Sequence, residues 1–364
     1  MDPAHFFLSD RIRAAAAAGT PLRIRGGGSK DFYGEPPQGE VLDTRGLTGV
    51  TAYEPSELVV TVRAGTTLAE LEALLATQGQ CLPFEPPHFG AAATVGGMVA
   101  AGLSGPARAS VGAVRDYVLG LTLINGQGEV LSFGGTVMKN VAGYDVSRLV
   151  TGSLGTLGLI TQVSLKVLGR APAEATLKFE TTQAQALEQL NRWGGQPLPL
   201  NASCWVEDQG VGTLYLRLRG AVAAVEAACV KLGGERQDNA QVAADWNLCR
   251  EQQLPWFLER GDRELWRLSV PQTAPVLDLP EPPLIEWHGG QRWVRIDSGR
   301  GEGLRQAARA VGGHATLFRA TATSTAMAPR FAPQEPGLQR IHRELKRQFD
   351  PAGVFNRGRL YPDF

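Results

Sequence analysis

Three consecutive glycines close an alternating run. Leu22-Arg23-Ile24 leads straight into Arg25-Gly26-Gly27-Gly28-Ser29-Lys30. In regular structure glycine costs roughly 0.5–1 kcal/mol relative to alanine. Three in a row at a strand end have little packing value on this reading, so they need another reason. A backbone without Cβ atoms can take positive φ and turn several N–H groups toward one point. Such a concavity binds anions, typically a phosphate or pyrophosphate. Two common phosphate loops are excluded by spacing. The dinucleotide fingerprint needs G-x-G-x-x-G opening a helix with an acidic residue about 20 positions on, and the P-loop needs G-x-x-x-x-G-K-[ST]. Neither matches, and Phe32-Tyr33-Gly34 does not start a helix cleanly. The triplet reads as a glycine nest of another type.

Two further glycine elements lie in the same half of the chain. Ala93-Thr94-Val95-Gly96-Gly97-Met98 is followed by small residues through Gly102, Ser104 and Gly105. Gly152-Ser153-Leu154-Gly155-Thr156-Leu157-Gly158 leads into a strand at Ile160. Each alone fits tight helix packing or a flexible loop. Three in one domain point to a shared ligand.

The 364 residues suggest two or three folding units. In the first half, Leu58–Arg63 is a β-branched run. Thr67 with Glu70 makes a capping box, before an apolar face of Leu68, Leu71, Leu74 and Leu75 that ends at Gly79. Asn125-Gly126-Gln127-Gly128 is a turn between two strand candidates. In residues 160–167, Val163, Leu165 and Val167 fall on one face, Ser164 and Lys166 on the other. From about residue 169 the glycine loops thin out and an α+β pattern runs to about 330. It holds strand candidates at Tyr215–Arg219 and Trp293–Asp297 and a helix over 221–232. Five prolines between Pro271 and Pro283 demand an extended loop. Leu338, Ile341, Leu345 and Phe349 predict a terminal helix with one apolar face, stopped by Asp350-Pro351.

Basic and acidic residues balance at 36 each, so charge gives no reason to expect nucleic acid. The cysteines at 81, 204, 229 and 249 form no C-x-x-C pair, which argues against an iron–sulfur cluster, structural zinc or any other metal site. Scattered thiols fit a reducing, cytoplasmic compartment. No secretory signal opens the chain, and no apolar run reaches the ~18 residues of a membrane span. Any attachment to an inner membrane would come through partners.

Four blocks carry a resemblance: RGGGSKDF at 25–32, ATVGG at 93–97, VGAVRDYVLGLTLINGQGEV at 111–130 and MKNVAGYDVSRLVTGSLGTLGLITQVSLKV at 138–167. Together they resemble the FAD-binding (PCMH-type) domain of the vanillyl-alcohol oxidase family. FDPAGVFNRGRLYP at 349–362 is similar to that family's C-terminal segment. In detail, RGGGSKDF, Lys139-Asn140, Gly143-Tyr144-Asp145 and the short middle domain most resemble the smaller FAD-binding subunits of bacterial glycolate oxidases. The resemblance implies an α+β fold with a PCMH-type FAD-binding domain of two α+β subdomains over residues 1–168. An α+β cap domain would follow over 169–330, and residues 331–364 would return to the FAD domain.

Carried over by position, Arg25, Gly26, Gly27, Gly28, Ser29 and Lys30 would wrap the FAD pyrophosphate. Thr94, Val95, Gly96 and Gly97 would line its pyrophosphate and ribityl side. Gly102, Ser104, Gly105, Gly155, Gly158 and Ile160 would approach the adenosine or the ring. Arg115 and Asp116 join the cofactor set, and Asn356 and Arg359 would return to the flavin.

Two departures matter. Covalent relatives carry a flavin-linking histidine where this chain has Ser29, which implies non-covalent FAD. The H-x-G-D-G-N-x-H motif of hydroxy-acid oxidising relatives is absent. Five histidines exist, at 5, 88, 288, 314 and 342. His288 and His314 are the only middle-domain candidates for a base, and a lone histidine is more often structural. Arg217, Arg219 and Arg319 read as surface residues rather than carboxylate ligands. The resemblance implies a subunit that works with a larger FAD-binding glycolate oxidase subunit and an iron–sulfur subunit on a small 2-hydroxy acid. An assembly subunit without chemistry and a stand-alone flavin oxidase of another 2-hydroxy acid stay open.

Overall fold

The structure, a computed structural model, describes residues 3–136, 144–208, 210–322, 324, 329–362 and 364. Lys139, Asn140 and Gly143 of the resemblance lie outside the described residues. The chain divides into two units, both α+β. The first holds Met1–Leu103, Ala113–Gly169 and Pro333–Phe364; the second holds Ser104–Gly112 and Arg170–Ala332.

Within the first unit there are two cores. Helix Pro3–Ala18 absorbs the alanine run near its end. Its buried side, Leu8, Ile12 and Ala15, meets Leu22, Leu42, Val354 and Phe355. Strand Leu22–Arg25 pairs in parallel with Glu40–Asp43, and Phe355 of the C-terminal segment forms a parallel bridge to Leu22. The larger core is built on a five-stranded antiparallel sheet in the order Val50–Glu54, Val59–Arg63, Leu159–Lys166, Val118–Ile124, Val130–Gly134. Helix Leu68–Thr77 starts on the predicted capping box, with Glu70 N–H donating to Thr67 Oγ1 and the Thr67 amide donating to Glu70. Leu68, Leu71 and Leu75 are buried in that core, with Val95, Met98 and Val99 of the short helix Val95–Ala101.

Ser164 falls on the face opposite Val163 and Leu165, as the alternation placed it, and is buried because strand Leu159–Lys166 is central to the sheet. Its hydroxyl pairs with that of Thr61 at 2.9 Å, which removes the cost of burying either. Terminal helix Pro336–Phe349 forms, but Leu338 and Ile341 are exposed rather than packed. The helix is anchored instead at its end by buried Lys346. Lys346 Nζ donates to the carbonyls of Thr156 and Phe355 and to the Asp350 carboxylate, each at 2.8 Å. Asp350 Oδ2 also accepts from the Phe355 amide. Periodicity cannot foresee a buried ion pair as the anchor.

The second unit is an antiparallel eight-stranded sheet ordered Glu235–Arg236, Ala173–Glu180, Val211–Gly220, Leu200–Asp208, Leu284–Glu286, Gln291–Ile296, Glu264–Ser269, His314–Arg319. Helices Gln183–Gly194 and Val222–Leu232 pack on one half of it and Gly301–Ala310 on the other, giving two apolar clusters. The proline-rich stretch 271–283 is a loop without helix or strand. Fully buried Arg292 pins it by donating to the carbonyls of Ala274 and Pro275. Arg217 is not a surface residue. It is buried, donates to Asn201 Oδ1 at 2.7 Å and lies over the Trp246 ring. Arg319 is also largely buried, with Nε on Gln252, whereas Arg219 pairs with Glu174.

Candidate cofactor site

The glycine loop, the helix Val95–Ala101, Leu154 and the C-terminal segment come together around one open cleft in the first unit. Arg25, Gly26, Gly27, Gly28, Ser29, Lys30, Thr94, Gly97, Asn356 and Arg359 line it, together with Arg23, Ile24, Asp31, Pro37, Ala100, Ala101 and Leu154. The amides of Gly26, Gly27, Gly28 and Ser29 donate to no acceptor among the described residues. Consecutive unpartnered backbone donors beside a cleft are suited to an anion.

The glycines also have a packing reason that the sequence did not disclose. A Cβ on Gly27 would lie 1.5 Å from the carbonyl oxygen of Ala92, and one on Gly26 would lie 2.4 Å from Thr94 Oγ1. The first glycine element therefore rests on the second. Likewise a Cβ on Gly155 would lie 2.7 Å from Asn356 Nδ2, so the third element rests on the C-terminal segment. Close approach of backbones brings the elements together, and the cleft is what they enclose.

Side chains set the charge. Arg23, Arg25, Lys30 and Arg359 line the cleft with one carboxylate, Asp31. Asp31 Oδ2 accepts from Arg25 Nε at 2.9 Å and from Arg23. Lys30 Nζ reaches the His88 carbonyl and lies over the Phe89 ring. Arg359 donates to the carbonyls of Glu35, Lys30 and Asp31, which fixes the loop after the glycines. Asn356 is a brace. Its Oδ1 accepts from the Ile24 amide at 2.8 Å and its Nδ2 donates to the Leu154 carbonyl at 2.6 Å. Arg23 and Asp31 are site residues that motif reasoning missed. Their signal was the charge alternation Arg23, Arg25 with an acid six residues on.

The other expected cofactor residues lie elsewhere. Val95 and Gly96 are buried, and their amides donate to the carbonyls of Thr66 and Ala64. Arg115 and Asp116 are exposed, and Asp116 accepts from the Ala113 amide at a helix start. Ile160 is buried in the core of the sheet, and Gly158 is held against Leu123 and Ile124. Gly102 caps helix Val95–Ala101 in the left-handed region, close to Gly152. Ser104 and Gly105 belong to the second unit.

The two candidate histidines sit in different settings. His288 is buried, with Nε2 2.9 Å from Ser110 Oγ and Nδ1 3.1 Å from Ser203 Oγ. Burial pulls its pKa down to about 4, so the ring is neutral with both nitrogens occupied. His314 stands at the exposed start of strand His314–Arg319. Among the described residues no group of three or more His, Cys, Asp or Glu side chains is placed to hold a metal ion. No helix among them is long and apolar enough to cross a membrane.

A mixed α+β chain with this cleft falls in the class of FAD-linked oxidoreductases, and comparison with known proteins agrees. A FAD binding domain family matches residues 8–147. Glycolate oxidase subunit GlcE of Escherichia coli (strain K12) is 46% identical over 357 residues, covering 98% of this chain and 97% of that protein. D-lactate dehydrogenase of Archaeoglobus fulgidus is 35% identical over 163 residues, 44% of this chain and 36% of that one. Among solved structures, alkyldihydroxyacetonephosphate synthase superposes with a TM-score of 0.66 at 16% identity, over 96% of this chain and 73% of its own. That likeness bears on the fold alone. The chain belongs to the PCMH-type FAD-binding oxidases, as a homologue of glycolate oxidase subunit GlcE.

Proposed function

We propose that this chain is an FAD-binding subunit of a glycolate oxidase complex, which oxidises glycolate to glyoxylate, and that its FAD relays electrons to partner subunits. The observation that carries the reading is the 46% identity to GlcE along nearly the whole of both chains. The cleft supplies the physical counterpart. Amides of Gly26 to Ser29 suit a pyrophosphate, Arg23, Arg25 and Lys30 offset its charge, and Asn356 and Arg359 hold the walls. FAD, when bound, accepts a hydride equivalent and passes electrons on.

Ser29 stands where covalent relatives carry a histidine, so the cofactor is held without a covalent bond. Denaturing the reconstituted chain in acid should leave all flavin in the supernatant, and a yellow pellet would contradict this. The relay role, rather than direct glycolate oxidation, rests on His288. A neutral imidazole with both nitrogens engaged by serines takes no proton from a substrate hydroxyl near neutral pH. The larger FAD-binding subunit would hold the hydroxy-acid site, and an iron–sulfur subunit would take the electrons. Co-expression with both should restore glycolate-dependent dye reduction that this chain alone lacks.

A further inference from the structure

Helix Pro336–Phe349 keeps an apolar stripe that the first unit does not use. All fourteen of its residues are described, and Lys346 alone among them is buried. Leu338 and Ile341 are 47% and 55% exposed, and Leu345 is half-buried. Positions 338, 341 and 345 follow the i, i+3, i+7 spacing of one helical face. A helix anchors in an apolar groove with that same spacing. A helix of this length is marginal in water by itself and draws most of its stability from packing an apolar face. Near its end the face is met, with the Phe349 ring 6.3 Å from that of Phe133. From Leu338 to Ile341 it is open.

Charge says what would cover it. The chain as a whole balances 36 basic against 36 acidic residues. This helix does not, since Arg340, Arg343, Lys346 and Arg347 stand against Glu344. Arg340, Arg343 and Arg347 are exposed. Arg347 meets Glu344 at 2.5 Å on the surface, a kind of pairing that contributes little. The basic side borders a cleft of about 400 Å³ lined by Arg343, Arg347 and Arg357. The Asp350 carboxylate there is spent on Lys346 and on the amides of Val354 and Phe355. A partner's carboxylates would find guanidinium donors on this side. A second copy presenting the same helix would be repelled.

Geometry favours a protein over a lipid surface. Arg340, Arg343 and Arg347 each stand two residues after an apolar anchor, Leu338, Ile341 and Leu345. Two residues on places each arginine about 160° round the helix from its anchor. A membrane-surface helix lays its apolar face in the bilayer with cations close to the headgroups. A flat surface cannot meet both of these stripes at once, whereas the two walls of a groove can.

We propose that helix Pro336–Phe349 docks in an apolar groove of a partner subunit, whose rim carries carboxylates for Arg340, Arg343 and Arg347. The inference rests on the reading that the chain works in a complex, and it assigns the docking element and its chemistry.

The test co-expresses the full chain with the larger FAD-binding subunit and the iron–sulfur subunit, and measures co-purification and the dissociation constant of the assembly. Leu338→Ala with Ile341→Ala removes the stripe while keeping a helix former at 338 and at 341. Arg340→Gln with Arg347→Gln removes charge alone. Thermal midpoint and FAD affinity of each variant chain control for folding. The docking face predicts an affinity for the partner at least about tenfold weaker in L338A/I341A. R340Q/R347Q should associate more slowly at low salt, a gap that closes near ~1 M salt. Assembly as in the wild type for both pairs overturns the proposal. So does flotation of the wild-type chain on phosphatidylserine vesicles that both pairs abolish while assembly holds. A wild-type dimer that L338A/I341A dissolves with assembly intact overturns it as well. If L338A/I341A does not fold, R340Q/R347Q decides by its salt dependence. A wild-type chain that joins neither subunit overturns the reading as a complex subunit, and the docking face with it.

Discussion

At the scale of single residues, the cleft depends on contacts whose partners lie far apart in the chain. Gly27 is the sharpest case. Its α-carbon faces the Ala92 carbonyl so closely that Gly27→Ala must displace the loop. Overpacking of this kind costs about 1–3 kcal/mol, and it moves the amides of Gly26 to Ser29 off their common aim. We expect FAD affinity, followed by flavin fluorescence, to fall at least about tenfold. His288 gives a prediction in pH. Its folded pKa of about 4 lies below the ordinary value of 6.5. Between those values the unfolded chain binds a proton that the folded chain refuses, so stability rises with pH across the window and is lost as pH falls from 6.5 to 4. The linkage is on the order of 3 kcal/mol. Chemical denaturation at pH 7 and pH 4.5 should show the loss in the wild type and a smaller one in His288→Asn. Motif residues such as Gly26 to Lys30 were legible because a glycine nest is a local device. Asn356 was legible only as a position, because both of its amide atoms bond to segments some 200 and 330 residues away.

At the scale of elements, strands and helices followed local pattern closely where one face alone decides. The capping box at Thr67 and the hairpin around Asn125–Gly128 formed where their residues placed them. Pattern failed at the terminal helix, whose anchor is ionic. That helix is held by Lys346, whose pKa burial lowers while Asp350 opposes the shift. Removing one partner of a buried pair costs about 3–5 kcal/mol. We therefore expect Lys346→Ala to lower stability by about that amount. It should also weaken FAD binding, because Lys346 holds the Phe355 carbonyl next to Asn356. Urea unfolding with a parallel FAD titration checks both. A stability loss with unchanged FAD affinity would detach the helix anchor from the cleft.

At the scale of the whole molecule, the α+β fold class was readable from the resemblance of its motifs. The excursion of Ser104–Gly112 into the second unit was not, because Trp287 and His288, which hold it, stand some 180 residues on. Chemistry divides in the same way. The candidate cofactor cleft belongs to the first unit, while in the second His288 is locked between serines and His314 sits at an exposed strand end. A flavin that serves partners instead of meeting glycolate itself should resist reduction by glycolate alone. The most direct measurement is the visible spectrum of the chain purified alone and reconstituted with FAD, recorded without oxygen before and after adding glycolate. A relay flavin keeps its bands with glycolate and bleaches only once the partner subunits are supplied. Bleaching by glycolate in the isolated chain would contradict it.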